Sequence, residues 1–185
     1  MRRAAGILAL GVSLTAVACG SSSSSSTGAG AINTLPAHAV PGLPSTRSAL
    51  TPAFLARETA AAPLRAQLRS WGFIAGARRY FQGESRKLQL VDSRTLRFHG
   101  AAGATAFVGF LRTHLNTYVG SFAHTRGYSS RGRSGFLAVA QACRCHLANP
   151  TYLAAVSAGG TVTWLEINGP GATRGRLAAL LAHAP

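Results

Sequence analysis

The chain has 185 residues, with 19 lysines and arginines against four acidic residues and a formal net charge of +15. That length allows one domain of ordinary size with room for a core, and that charge makes the chain attract anions. The four carboxylates, Glu58, Glu84, Asp92 and Glu166, are scattered along the sequence, which excludes a locally built acid–base pair.

The N-terminus reads as an export signal. Met1-Arg2-Arg3 is positive, and Ala4 to Val17 is uncharged and mostly apolar. That stretch matches the apolar region of a signal peptide and is too short to span a bilayer as a helix. Ala16-Val17-Ala18 supplies small residues before a cut at Cys19. A plain signal peptidase would release a soluble chain beginning with Cys19. A lipoprotein peptidase would need Cys19 lipidated and would leave it as an anchor. The stretch AVAC, followed by Gly20 and six serines, resembles the lipobox of bacterial lipoproteins, with Ala16 where that family usually has leucine. The resemblance implies a lipid on Cys19 and a place on the outer face of the cytoplasmic membrane. Cysteine parity agrees, since lipidating Cys19 leaves two of the three thiols to pair.

Residues 20–50 follow with serines, Gly20, Gly28 and Gly30, and then Pro36, Pro41 and Pro44. This composition predicts a disordered tether with an r.m.s. reach of about 30 Å. The organisation expected is therefore a signal peptide over 1–18, a lipidated cysteine with its tether over 19–50, and one domain over 51–185. No second apolar span follows, so only the N-terminus would touch lipid covalently.

Within the domain, Thr51-Pro52 reads as a helix cap with proline at the first helical position. Phe54, Leu55, Leu64, Leu68 and Trp71 mark a helical region interrupted at Pro63. A strand is expected over Phe73 to Gln82, with Phe73, Ala75 and Ala77 on one face and Ile74 and Tyr80 on the other. Gly83-Glu84-Ser85 reads as a turn, and Arg86 to Phe98 as a second strand. Phe107, Phe110, Leu111 and Leu115 are at helical spacing, which predicts a helix over Ala101 to Asn116. Residues 120–135 read as loop. Phe136 to His146 fits a helix or a strand, and a strand suits its position after a glycine-rich turn. Tyr152 to Ser157 and Thr161 to Asn168 read as a hairpin turning at Gly159-Gly160, and Ala172 to Ala182 as a closing helix. This order predicts an α+β fold, an antiparallel sheet with helices packed on it.

The stretches LRSWGFIAGARRYFQG, FHGAAGATAFVGFL and AGGTVTWLEINGP resemble actinobacterial lipoproteins of unknown function, some with PsbP-like α+β folds. The likeness covers the layout from Leu64 to Ala184. It implies a non-enzymatic accessory or binding module and carries over no site residues.

The sequence carries few chemical motifs. No G-x-S-x-G, H-E-x-x-H or P-loop motif is present. Glu58 and Glu84 read as solvated charges, and Glu166 as a carboxylate paired with an arginine at a strand end. Gly100 to Gly103 could hold an anion at a helix start, but reads first as an ordinary helix entry. Cys143, Cys145 and His146 are soft metal ligands, but a zinc site wants four and no second cysteine pair exists. In a strand, residues 143 and 145 would stand about 6.6–6.8 Å apart, at the edge of disulfide reach. An oxidising compartment favours the Cys143–Cys145 disulfide over two buried thiols, and both over a metal. No metal or cofactor is expected. Arg126, Arg131 and Arg133, interleaved with glycine, serine and Tyr128, form a candidate anion-binding loop. Outside a membrane the anions on offer are lipid and envelope polymer rather than nucleic acid. Two functions remain. One is a non-catalytic envelope module; the other is an envelope hydrolase assembled from distant residues such as Asp92, His114 and a serine. A pocket joining Asp92 to a histidine would favour the enzyme, and pockets lined by arginine and apolar groups would favour binding.

Overall fold

The computed structural model describes residues 32–84, 87–116, 123–140 and 149–185, so Cys19, Cys143 and Cys145 lie outside the described residues. Seven strands form one sheet: β1 Ser45–Leu50, β2 Phe73–Gln82, β3 Leu90–Phe98, β4 Ala123–Ser130, β5 Arg133–Ala140, β6 Thr151–Ala158 and β7 Thr161–Asn168. Their order is β1-β2-β3-β7-β6-β5-β4, and every pairing is antiparallel. Among the described residues the α-helices are α1 Pro52–Glu58, α2 Leu64–Ser70, α3 Ala101–Thr113 and α4 Arg174–His183. The fold is α+β. None of the helices among the described residues is long and apolar enough to cross a membrane.

Strand alternation splits the core in two, because successive side chains point to opposite faces. On one face Leu96, Phe98, Phe136, Leu153, Val162 and Trp164 meet α1, α2 and α3. On the other, Phe81, Val91, Leu137, Ala154, Leu165 and Ile167 meet Leu177, Leu180 and Leu181 of α4. Helix α3 is held close to the end of α2. A Cβ on Gly103 would stand 1.9 Å from the Trp71 carbonyl oxygen, so this glycine serves packing rather than an anion. Thr51 Oγ1 accepts from the Phe54 amide and Thr173 Oγ1 from the Arg176 amide, which caps α1 and α4.

Several expectations need correction. Residues 32–50 belong to the domain, not to a tether. Leu35, Val40 and Leu43 are buried against the α4 face, and β1 pairs with β2 along its whole length. The prolines that suggested a linker set turns and extended backbone between these buried positions. The span 120–135 is not all loop, because β4 and β5 form a hairpin over Arg131-Gly132, both at positive φ. β4 is an edge strand largely exposed over 124–130, so it carries no apolar alternation to betray it. The second strand starts at Leu90 rather than Arg86. A register shift between Phe73 and Ala75 moves Phe73 off the face of Ala75 and Ala77, and its ring meets Phe98 at 5.7 Å between centroids.

Candidate functional site

The strand register assembles a charged cluster that the linear sequence hides. Tyr80, Asp92 and Glu166 lie directly opposite one another across β2, β3 and β7, and Arg78, Arg94 and Trp164 form the next such row on the same face. Cross-strand neighbours of this kind have Cβ atoms about 4.5–5.5 Å apart. Arg78 donates to Asp92 as a fork, Nε to Oδ1 at 2.8 Å and Nη2 to Oδ2 at 2.7 Å. Arg94 donates to Asp92 Oδ2 through Nε at 3.1 Å and also through Nη2. Glu58, at the end of α1, closes the cluster from above, with Oε2 at 2.8 Å from Arg94 Nη2 and Oε1 at 3.5 Å from Arg78 Nη1.

Aromatic rings seal these cations. The Arg94 guanidinium lies 3.9 Å from the Trp164 ring centroid, and that of Arg78 lies 4.5 Å from the ring of Tyr80. Asp92 is only 3% exposed, and such a carboxylate persists where charge-assisted bonds replace its water. Burial pulls against the charge of Arg78, yet its hydrogen bonds to Asp92 and the Asp92 charge leave the guanidinium above its ordinary range. Burial and the Asp92 charge also raise the Tyr80 hydroxyl.

Two arginines and two carboxylates balance within this cluster, and Glu166 is the fifth member. No hydrogen bond or ion pair reaches it among the described residues. Burial, only partly opposed by Arg94 and reinforced by Asp92, pushes its carboxyl up to about 7.

Asp92 was the aspartate a distant-residue triad would need. Its oxygens are taken by arginine, and no hydrogen bond joins it to a histidine among the described residues. His114 instead bonds the Phe110 carbonyl through Nδ1 at 2.9 Å and stacks on the Phe110 ring. Glu58 is not a merely solvated charge, and Glu166 forms no ion pair within 4 Å among the described residues.

Of the loop arginines, Arg126 and Arg131 are exposed. Arg133 is given over to structure. Its Nη1 and Nη2 donate to the carbonyls of Leu181 and Ala184, each at 2.8 Å, at the end of α4. There a cation also complements the helix dipole.

The face carrying α4 has the opposite character. Arg79, Arg97, Arg126 and Arg133 share the parity of Phe81, Val91 and Leu137, so they project on the α4 side. Arg47, opposite Arg79, joins them. Five clefts open around this side and the β1 edge, and each is lined by at least one arginine or lysine and by no aspartate or glutamate. Two are roomy. One of about 420 Å³ lies among Thr34, Pro36, Arg47, Arg79 and His183. One of about 390 Å³ lies between residues 39–43, Lys87-Leu88 and α4. Three of the four carboxylates are thus gathered under α1, while cations border the clefts.

No protein-family model matches the chain. No curated protein matches it either. Among solved structures the chain is similar to the extracellular domain of PknH from Mycobacterium tuberculosis, at 13% identity over 75% of this chain and 76% of that chain, with a TM-score of 0.45.

Proposed function

We propose that this chain is an extracytoplasmic lipoprotein, anchored through Cys19, whose domain is a non-catalytic module that binds anionic lipid surfaces through its α4 face. The observation that carries this reading is the set of cation-lined clefts around that side and the β1 edge, none bordered by an aspartate or glutamate. The first of the described residues also lies in a suitable place. Ile32 borders a cleft with Arg47, whose Nη2 donates to the Ile32 carbonyl. Residues 20–31 between Cys19 and Ile32 can span at most about 47 Å even when fully extended. Lipid on Cys19 would therefore hold the basic side near the bilayer. Each arginine near such a surface contributes roughly 1 kcal/mol, so three together strengthen binding by about two orders of magnitude. The Cys143–Cys145 disulfide belongs to the same exported setting.

The test uses the unlipidated chain from Gly20 to Pro185 with vesicles of phosphatidylglycerol or of phosphatidylcholine. Co-sedimentation with the anionic vesicles alone, lost at high salt, is expected. Equal binding to both lipids, or binding that salt does not weaken, would overturn the proposal.

A further inference from the structure

We infer that the 390 Å³ groove beside α4 is a site for a single-chain amphiphile with an anionic head, an acyl carboxylate or a lysophospholipid. This rests on the reading of the α4 face as an anion-binding side and assigns one cleft a ligand class. The volume lies within the usual span of small-molecule sites, about 300–1,000 Å³. The chemistry of the lining is divided. Val40, Leu43, Leu88 and Leu180 form an apolar floor, each nearly buried, while Lys87, Arg176 and His183 are the polar side chains of the rim.

The helix sets the groove's direction. Arg176, Ala179, Leu180 and His183 stand at i, i+3, i+4 and i+7 of α4, one stripe about 10 Å long. The corner after β7 sets the position of the cations. Gly169 has φ +141°, and a Cβ there would lie 2.7 Å from the Gln89 amide nitrogen. The Gly171 amide donates to the Lys87 carbonyl at 2.7 Å, and a Cβ on Gly171 would stand 2.9 Å from that oxygen and 3.1 Å from Arg176 Nη1. Glycine at both 169 and 171 lets the Lys87–Gln89 backbone pass this close to the corner. Lys87 and Arg176 both line the groove, Arg176 at the N-terminal end of the stripe, with apolar floor running away from it. An anionic head at Lys87 and Arg176 with its chain along Leu180, Val40 and Leu43 satisfies both halves of the lining.

The test uses the chain from Gly20 to Pro185 and parinarate, a fluorescent fatty-acid carboxylate, below its micelle-forming concentration. Saturable one-to-one binding is expected, with lysophosphatidylglycerol competing and a neutral long-chain alcohol competing poorly. Ala179→Trp, at an exposed wall position, fills the groove without changing charge and should abolish binding. Ala39→Trp does the same from the opposite wall should the first variant fold poorly. Arg176→Gln should weaken binding roughly tenfold. Absence of parinarate binding by the parent chain, binding unchanged in both tryptophan variants, or equal competition by the alcohol would overturn the inference. The same Ala179→Trp protein should still sediment with phosphatidylglycerol vesicles. Vesicle binding without parinarate binding sinks the groove alone, and parinarate binding without vesicle binding sinks the surface reading alone.

Discussion

A chain cut to begin at Thr51 should not fold. The cut removes β1 and the segment before it, and with them the buried side chains of Leu35, Val40, Leu43 and Leu50, all at most 8% exposed. Each such burial contributes about 1.5–3 kcal/mol, so the loss is roughly 6–12 kcal/mol. It also strips the ladder that pairs Ser45 through Leu50 with Gly76 through Phe81 and uncovers Phe81, which is fully buried. Domains of this size are stable by only about 5–15 kcal/mol, so the deficit is of the order of the whole. Urea titration followed by tryptophan fluorescence decides the matter, because Trp164 is buried in the core. A chain from Ile32 to Pro185 should unfold in one cooperative transition, and a chain from Thr51 to Pro185 in none. A graded version is Leu35→Ala, expected to cost about 2–5 kcal/mol. Cooperative unfolding of the Thr51 chain at the parent midpoint would show residues 32–50 to be a tether after all.

Three further outcomes are expected. Glu166 holds its proton in the fold up to about pH 7, whereas its ordinary value is 4.5. The folded state therefore binds the extra proton, so stability should fall as pH rises from 4.5 to 7 and level off above. At about 1.4 kcal/mol per unit the loss is about 3 kcal/mol at most, and the partial exposure of Glu166 brings it nearer 1–2. Glu166→Gln should erase that slope in urea midpoints measured from pH 5 to 8; a slope that survives refutes the assignment. Arg133→Ala should cost roughly 1–3 kcal/mol by uncapping α4 while leaving vesicle affinity nearly unchanged, and Arg126→Ala should do the reverse. Cys19→Ser should release the exported protein into the medium, as shown by fractionation and blotting; continued membrane retention would argue against the lipid anchor.

Much of the fold was legible because buried strands and helices carry their own periodicity. The stripe of Phe107, Phe110 and Leu111 marks α3, and the hairpin of β6 and β7 is marked by its two glycines. Residues 32–50 were not legible, since Leu35, Val40 and Leu43 follow no period and are separated by prolines. Their burial comes from the sheet and α4 beneath them, which no local window contains. β4 is not legible in the sequence because an edge strand largely exposed over 124–130 needs no apolar pattern. The charged cluster depended on register. Nothing in the separate stretches around Arg78, Asp92 and Glu166 says that residue 92 will face residues 80 and 166. One signal was present. Asp92 and Arg94 share the parity of Leu96 and Phe98, and Glu166 that of Val162 and Trp164, so charges sat on strand faces otherwise committed to the core. A charge in such a place needs a partner from another strand.

The most direct measurement is amide NMR of the chain from Gly20 to Pro185 as phosphatidylglycerol bicelles are added. Shifts that move with salt-sensitive affinity at Arg47, Arg97, Arg126, Arg174 and Arg176, with Glu58, Arg78 and Glu166 unmoved, are predicted. Perturbation centred on the Glu58, Arg78 and Glu166 cluster, or no salt-sensitive perturbation on the α4 side, would contradict a module that meets its anionic ligand with the α4 face.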